Sequence, residues 1–295
     1  MTGEPVGAER AEVGCVVLSM GDRPVELTRA LRSVLAQRGV SVDCLVVGNG
    51  WEPTGLPAGV RGRALPENIG IPGGRNEGVA AVRGDVVLFL DDDAELVGED
   101  FLARARDIFA ADPSVGLVQP LIADPQGRPT PTRWVPRLRG VGRERAGDVA
   151  VISEGVCLVR RAAFDAVGGW AGRFFYAHEG IELTWQVMNA GYRARYEPSL
   201  VTHHPAVAAS RHEQYYYLTA RNRIWVARRN LPVPLALVYV AVWGVTTLVR
   251  LRGRRAIATV LRGFWHGVRQ PCGARRPISW RTAWRMTRAG RPPIV

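Results

Sequence analysis

The sequence predicts an α/β protein built on a largely parallel sheet. Three short apolar runs that end in polar or turn residues are typical of buried strands: VGCVVLS (13–19), CLVVGNG (44–50) and DVVLFL (85–90). Segments with helical spacing separate them, in PVELTRALRSVLAQ (24–37) and GGRNEGVAAVRG (73–84). Alternating strands and helices indicate right-handed crossovers, and in such sheets ligands bind beyond the carboxyl ends of the strands.

Polar side chains follow each of these strands. The first strand ends at Ser19, shortly before Asp22 and Arg23, and the second ends at Asn49. Parallel strands bring these residues to one edge of the sheet, where a ligand site is expected.

A glycine-rich loop, NIGIPGGRN (68–76), leads into the second helix and carries Arg75. The free N–H groups of a helix N-terminus favour an anion, although a Gly-Pro-rich stretch is also an ordinary tight turn. The loop matches neither the phosphate-binding loop of nucleoside triphosphatases nor the dinucleotide fingerprint.

The third strand runs into three adjacent aspartates, Asp91, Asp92 and Asp93, in LFLDDDAE (88–95). Neighbouring carboxylates repel one another, and burial next to an apolar strand adds a cost unless a cation neutralises them. A hard divalent cation takes oxygen ligands of this kind. The triplet therefore indicates a metal site rather than a solvated turn.

The remaining body of the chain predicts a strand and short helix in SEGVCLVRRAAFDAVGGW (153–170), a helix in FFYAHEGIELTWQVMNAGYRARY (174–196) and a strand in SLVTHHPA (199–206). Glu179 and Glu182 lie three apart, so they face the same side of the predicted helix. His203 and His204 follow the last strand.

Charge divides the chain into two parts. The net charge is +12 and every basic residue is Arg, with 17 Arg and one Glu between 206 and 295 and a net charge of −4 before them. We expect a flexible N-terminus (1–12), an α/β domain (13–205) that contains the predicted site, and a basic helical extension (206–295). Binding of nucleic acid by the extension is the alternative, but no nucleic-acid-binding motif accompanies the arginines.

The four cysteines form no CxxC pair, so neither a zinc site nor a disulfide framework is indicated. The first residues lack the basic and apolar regions of a secretory signal. We therefore expect a cytoplasmic protein.

Residues 230–249 carry no charge and are long enough to span a membrane, but arginines flank them on both sides. A single crossing would place the most basic stretch outside the cell, against the usual charge bias of membrane proteins. We expect instead a helix lying on an anionic leaflet at the inner face of the plasma membrane; packing on the domain is the alternative. Four tryptophans suit such a boundary: Trp243, Trp265, Trp280 and Trp284.

Five stretches carry a family resemblance through their order and spacing: VVLSMGDRPVELTRALRSVLAQ (16–37), VVGNG (46–50), ENIGIPGGRNEGVAAVRGDVVLFLDDDAEL (67–96), GGWAGRFFYAHEGIELTWQVMNAGYRARYEP (168–198) and THHP (202–205). The chain resembles the family 2 glycosyltransferases of the GT-A fold, of an actinobacterial, rhamnosyltransferase-like type, and the resemblance implies a Rossmann-like mixed sheet. The resemblance implies an inverting enzyme that moves one sugar from a UDP- or dTDP-sugar to a cell-envelope or lipid-linked acceptor. A non-catalytic nucleotide-sugar-binding relative is the alternative, and the absence of a QxxRW motif argues against a processive synthase.

The resemblance also implies roles for the aspartates and histidines. Asp91 and Asp93 would hold Mg²⁺ or Mn²⁺ against the donor pyrophosphate, and Asp92 would lie near the ribose. Either His203 or His204 would complete the metal shell, or both are structural.

The donor pocket implied by the resemblance contains Ser19, Asp22, Arg23, Asn49 and Arg75. The family more often has an acidic residue where this chain has Gly48. The sequence therefore leaves open whether the nucleobase of the donor is that of UDP or of dTDP.

For the general base, the usual EDxDL of the family reads EGIEL here. Glu179 keeps the first acid, Gly180 replaces the second, and Glu182 stands at the third. We expect Glu179 to be the general base, with Glu182 as the second candidate. The alternative for each is a structural role, because a negative charge at a helix N-terminus is favourable without any catalysis.

Overall fold

The computed structural model describes residues 11–138, 142–206, 214–251 and 253–294. Its strands are β1 (Val13–Ser19), β2 (Val42–Asn49), β3 (Val60–Leu65), β4 (Val86–Asp91), β5 (Glu95–Leu96), β6 (Val115–Ala123), β7 (Gly147–Val149), β8 (Val156–Arg160) and β9 (Arg193–His203). Its α-helices are α1 (Pro24–Leu35), α2 (Ile71–Ala81), α3 (Phe101–Ala111), α4 (Arg161–Val167), α5 (Glu179–Asn189), α6 (Tyr215–Asn230), α7 (Val233–Arg250), α8 (Arg254–Arg269) and α9 (Trp280–Arg288).

These strands form one mixed sheet in the order β3-β2-β1-β4-β8-β6-β9-β5, and β7 pairs with the edge of β9. The first four in this order run parallel, as the sequence predicts. Beside them β8 runs antiparallel to β4, so that the start of β8 lies next to the end of β4. The predicted α/β class with a mixed sheet is confirmed. The sheet also includes β3, which the sequence pattern did not reveal.

Helices cover both faces of the sheet, because its central strands are apolar on both sides. On one face α1 and α3 pack through residues such as Leu31 and Phe101. On the other face α2, α4 and α5 pack through residues such as Val79, Phe164 and Leu183. The carboxyl ends of β1, β2 and β4 remain at an uncovered edge.

The C-terminal extension is helical, as predicted, and it packs on the α/β body that precedes it. Gly263 and Gly267 bring α8 close to α6: a Cβ at Gly263 would lie 2.6 Å from the carbonyl oxygen of Tyr217. After α8 the chain returns to α5, where the side chain of Gln186 donates to the carbonyl oxygen of Arg276 over 2.7 Å.

The predicted flexible N-terminus is described only from residue 11. Residues 1–10 lie outside the described residues. Glu12 already belongs to the body, since its backbone N–H donates to the carbonyl oxygen of Ser41 over 3.0 Å.

Candidate active site

A cavity of about 640 Å³ opens at the carboxyl edge of the sheet. Its volume is in the usual range for small-molecule sites. Among its lining residues are Ser19, Asp22, Arg23, Asn49, Arg75, Asp91, Asp92, Asp93, Glu154, Glu179 and His204. The extension contributes to the same cavity through Tyr215, Arg223 and Arg291. The cavity therefore collects nearly all the residues that the sequence singled out and is completed by the C-terminal segment.

Asp91, Asp93 and His204 form a compact cluster of potential metal ligands, with all three ligand atoms within 4.8 Å of one another. The Nε2 atom of His204 lies 3.2 Å from Asp93 Oδ1 and 3.5 Å from Asp91 Oδ2. Two carboxylate oxygens and one imidazole nitrogen suit Mn²⁺, since Mg²⁺ prefers oxygen ligands alone. These residues fit a divalent cation.

The fold explains why His204, and not His203, reaches this cluster. His203 is the last residue of β9 and pairs with Glu95 of β5. Successive side chains of an extended segment point to opposite sides. The backbone N–H of His204 donates to the carbonyl oxygen of Ala123 over 2.9 Å, which fixes its side chain toward the aspartates.

Positive charges surround the cluster. Arg75 Nη2 donates to Asp91 Oδ1 over 2.7 Å, and the Nη1 atom of Arg23 contacts Asp93. Burial raises the pKa of Asp91, but the hydrogen bond from His204 and the charge of Arg75 outweigh it, so that this pKa lies below its usual range. Burial lowers the pKa of His204, but the neighbouring aspartates outweigh it and raise that pKa.

Asp92 points away from the cluster toward the end of β1. Ser19 Oγ donates to Asp92 Oδ2 over 2.7 Å and accepts the backbone N–H of Gly21 over 3.0 Å. Burial, only partly offset by the hydrogen bond from Ser19, raises the pKa of Asp92 to about 6.

Arg75 is held in a buried aromatic setting, with its side chain only 2% exposed. Its guanidinium carbon lies 5.6 Å from the centre of the Phe89 ring and 5.3 Å from that of Trp170. Its Nη1 atom has no hydrogen-bond partner among the described residues. The cavity therefore contains a fixed cation with an unused donor beside Asp91.

Asn49 is engaged in fixing the glycine-rich loop. Its Nδ2 donates to Asn68 Oδ1 over 2.8 Å, and its Oδ1 accepts the N–H of Ile69 over 2.9 Å. Asp22, by contrast, stands at the rim with its side chain 55% exposed. A Cβ at Gly48 would lie 1.9 Å from the carbonyl oxygen of Trp51, so the local backbone excludes the acidic side chain that the family resemblance leads us to expect there.

The two glutamates of α5 have different surroundings. Glu182 is bound by Arg229 of α6, whose Nε lies 2.8 Å and 3.0 Å from its two carboxylate oxygens. It is buried behind the cavity and is not part of the cavity lining. Glu179 faces the cavity, and its Oε2 atom has no partner among the described residues.

Glu154, which no motif in the sequence indicated, lies beside Glu179. Its Oε1 accepts the N–H of Gly180 over 3.1 Å. Burial and the charge of Glu154 raise the pKa of Glu179 to about 8. The signal in the sequence was Glu154 itself, an acid directly before Gly155 at the start of a predicted strand, in a chain with glycine at position 180 where the resemblance leads us to expect an acid.

The segment that leads into α5 has an unusual backbone. Phe175, Ala177 and His178 have φ angles of 66°, 70° and 70°, a region that costs about 1–3 kcal/mol for each residue with a side chain. Asn222 of α6 stabilises it, because its Nδ2 donates to the carbonyl oxygens of Phe174, Tyr176 and Ala177 over 2.9, 2.7 and 2.9 Å. The extension thus shapes one wall of the site.

Comparisons with known proteins agree with this geometry. A family model described as glycosyl transferase family group 2 matches residues 86–267. The pre-mycofactocin glycosyltransferase of Mycobacterium tuberculosis is 28% identical over 212 residues, which cover 68% of this chain and 44% of that protein. An uncharacterised protein, y4gI, of Sinorhizobium fredii is 29% identical over 166 residues, which cover 50% of this chain and 18% of that protein. The chain thus spans less than half the length of these curated relatives.

Solved structures share the fold at low sequence identity. TarS of S. aureus (residues 1–349) has a TM-score of 0.62 at 14% identity, covering 88% of this chain and 81% of that one. The mannosyltransferase PcManGT of Pyrobaculum calidifontis, in complex with GDP-Man and Mn²⁺, has a TM-score of 0.54 at 16% identity, covering 96% of this chain and 74% of that one. With the family model matching more than half of its length, the chain belongs to glycosyl transferase family group 2, and it has the GT-A fold.

Proposed function

We propose that the protein transfers a single sugar from a nucleoside-diphosphate donor to an acceptor hydroxyl, with inversion at the anomeric carbon. The observation that carries the proposal is a single cavity holding a cation-ligand cluster, Asp91, Asp93 and His204, together with a separate carboxylate pair, Glu154 and Glu179. The first group suits the departing diphosphate, and the second suits removal of a proton.

On the donor side, Asp91, Asp93 and His204 would hold Mn²⁺ or Mg²⁺. Such a cation neutralises charge on a departing nucleoside diphosphate. Ser19 and Asp92, which are hydrogen-bonded to each other, would bind the ribose, and Arg75 would donate its unpaired Nη1 to a phosphate oxygen. TarS has been solved with UDP and UDP-GlcNAc and PcManGT with GDP-Man; for this chain we propose a UDP- or dTDP-sugar.

On the acceptor side, one carboxylate of the pair takes the proton of the acceptor hydroxyl while the hydroxyl oxygen attacks the anomeric carbon. The bond from that carbon to the diphosphate breaks on the opposite face, and its electron pair leaves with the nucleoside diphosphate. The attack from the opposite face inverts the configuration.

Thermal unfolding tests the donor side. We expect a panel of UDP-, dTDP- and GDP-sugars with Mn²⁺ to contain at least one that raises the melting temperature, because a ligand of the native state stabilises it. Chelation of the Mn²⁺ should abolish that increase. The proposal fails if every nucleotide sugar leaves the melting temperature unchanged in Mn²⁺.

We further propose that the extension rests on an anionic membrane and that the acceptor is a lipid-linked or cell-envelope glycan. Of the described helices, α7 has the length and composition to cross a membrane, and only 6% of it is buried. Leu261, Trp265 and Val268 of α8 are also exposed, one helical turn apart. Trp280 and Trp284 of α9 are exposed in the same way, whereas Trp243 packs against Arg223.

The packing of the extension favours a helix that lies on the membrane. The helices before and after α7, α6 and α8, pack on each other, so both ends of α7 lie next to the body of the protein. A helix that crossed the membrane would have its two ends on opposite sides of the bilayer. Arg228 and Arg229 are engaged within the protein, but Arg250, Arg254 and Arg255 are exposed and can attract anionic lipid. This supports a peripheral position at the cytoplasmic face.

Vesicle flotation of the full chain tests this position. We expect recovery with vesicles containing phosphatidylserine at low salt, partial release at high salt, and weaker recovery of an Arg250→Gln/Arg254→Gln/Arg255→Gln variant. Equal recovery with neutral and anionic vesicles would exclude the electrostatic contribution. Tighter binding to DNA than to vesicles under the same conditions would favour a nucleic-acid partner.

A further inference from the structure

Gly180 occupies the place in α5 where the family resemblance expects the second acid. A Cβ built on Gly180 would lie 2.6 Å from Cγ of Glu154 and 2.9 Å from its Cδ and Oε1. Real Cβ atoms do not come this close to other heavy atoms, so the side chain of Glu154 fills the space in which a side chain at position 180 would begin. The carboxylate of Glu154 therefore lies close to the position where the resemblance leads us to expect a carboxylate from residue 180.

The sheet explains how a residue from another element arrives there. Glu154 lies two residues before β8, the antiparallel neighbour of β4. The backbone N–H of Asp91, at the end of β4, donates to the carbonyl oxygen of Gly155 over 3.0 Å. The start of β8 therefore lies at the same sheet edge as the aspartates, and Glu154 lines the cavity.

Glu154 and Glu179 differ in their surroundings, and the difference indicates which of them is charged. Glu154 is partly exposed and accepts the N–H of Gly180 at the N-terminus of α5, which favours its charged form. Glu179 is only 1% exposed and its Oε2 has no partner among the described residues. Burial raises the pKa of both carboxyls, and that of Glu179 to about 8, so Glu179 keeps its proton at neutral pH.

We propose that Glu154 is the catalytic base, in the place left by Gly180, and that Glu179 is a positioning residue that retains the proton of the pair. This inference rests on the proposed sugar transfer. The proton of the acceptor hydroxyl passes to a carboxylate oxygen of Glu154 while the acceptor oxygen bonds to the anomeric carbon. The nucleoside diphosphate leaves with the electron pair of the broken bond.

The first test uses release of nucleoside diphosphate, with water as the acceptor and the nucleotide sugar that best raises the melting temperature as the donor. Glu154→Gln keeps an oxygen that can accept the N–H of Gly180 but cannot take a proton. We expect release to fall by at least about 100-fold while the Mn²⁺-dependent increase in melting temperature persists. Glu179→Gln is the matched control, and we expect it to lose less than about 10-fold.

The pH profile separates a base from a merely structural residue. The titratable and charged groups around Glu154 are Arg75, Asp91, Cys157, Tyr176 and Glu179. The rate of the parent should fall on the acid side as the base gains a proton. Glu179→Gln should keep this fall but lose any change near pH 8, whereas Glu154→Gln should lose the acid-side fall.

Moving the carboxylate from position 154 to position 180 tests whether both positions serve the same role. Gly180→Asp alone brings a side chain into collision with Glu154, whereas Glu154→Ser with Gly180→Asp returns the carboxylate to α5. We expect the double variant to release nucleoside diphosphate at least about 10-fold faster than Glu154→Ser alone.

The outcomes distinguish this inference from the proposed function. If the parent releases nucleoside diphosphate and Glu154→Gln releases it equally fast, only the role of Glu154 is overturned. The same holds if Glu179→Gln is as slow as Glu154→Gln. Loss of nucleotide binding in Glu154→Gln would make Glu154 structural and also overturn it. A parent that neither binds nor cleaves any donor overturns the proposed function, and this inference with it.

Discussion

Two acidic groups share one cavity but differ in how their charges are compensated. Asp91 and Asp93, at the carboxyl end of β4, face Arg23, Arg75 and His204. The second group, Glu154 and Glu179, has no ion pair in the part of the chain that the structure describes, whereas Glu182 behind the cavity is paired with Arg229. Compensated carboxylates stay charged and suit a cation, while buried uncompensated carboxylates exchange protons. The difference assigns a chemistry to each group.

Removing a ligand from the first group should have the largest effect. We expect Asp93→Asn to abolish transfer and to remove the Mn²⁺ dependence of nucleotide binding, because two of three ligands cannot hold the cation in place. Asp100→Asn, at an exposed carboxylate before α3, is the control. Calorimetric titration with UDP in Mn²⁺ and in chelator measures both variants. Unchanged metal dependence in Asp93→Asn would contradict the metal assignment.

Breaking the buried ion pair between Glu182 and Arg229, behind the cavity, should reduce stability by about 3–5 kcal/mol. Arg229→Met leaves the carboxylate of Glu182 buried without its partner, whereas the double variant Arg229→Met/Glu182→Gln removes both charges and should recover part of the loss. Chemical denaturation measures the free energy of unfolding. If Glu182→Gln instead leaves stability unchanged and stops turnover, Glu182 returns as the base.

The two adjacent histidines provide a finer test of the first group. We expect His204→Asn to weaken Mn²⁺ binding by at least about 10-fold, because the cluster loses its nitrogen ligand. His203→Asn is the matched control and should leave Mn²⁺ binding unchanged. Titration of the apo protein with Mn²⁺, followed by electron paramagnetic resonance, compares them. Equal weakening in both variants would contradict the assignment to His204.

The smallest expected effect concerns the pH dependence of stability. Because the pKa of Glu179 is raised to about 8, the folded state binds more protons than the unfolded state between the ordinary pKa of glutamate and pH 8. Its contribution to stability is therefore present at low pH and is lost as pH rises through 8. Glu179→Gln should flatten the decline of melting temperature from pH 5 to 8, and an unchanged slope would place Glu179 in a less buried setting.

Local patterns in the sequence determined the parallel strands and the acidic triplet that follows β4. Continuous apolar runs must be buried on both faces, and their alternation with helices determines a parallel arrangement. The carboxyl ends of such strands meet at one edge, so the sequence alone assigns Ser19, Asn49 and Asp91 to one site. The basic helical extension was also predictable, because its composition differs from that of the body.

Only the tertiary structure decided which residues of distant segments meet. The choice of His204 over His203 depends on how β9 ends against β6, and the pairing of Glu182 with Arg229 depends on the docking of α6. The position of Glu154 follows from the antiparallel placement of β8 beside β4, which no periodicity reveals. Periodicity reports which face of an element is buried, whereas the partners of a polar side chain are set by packing between elements far apart in the chain.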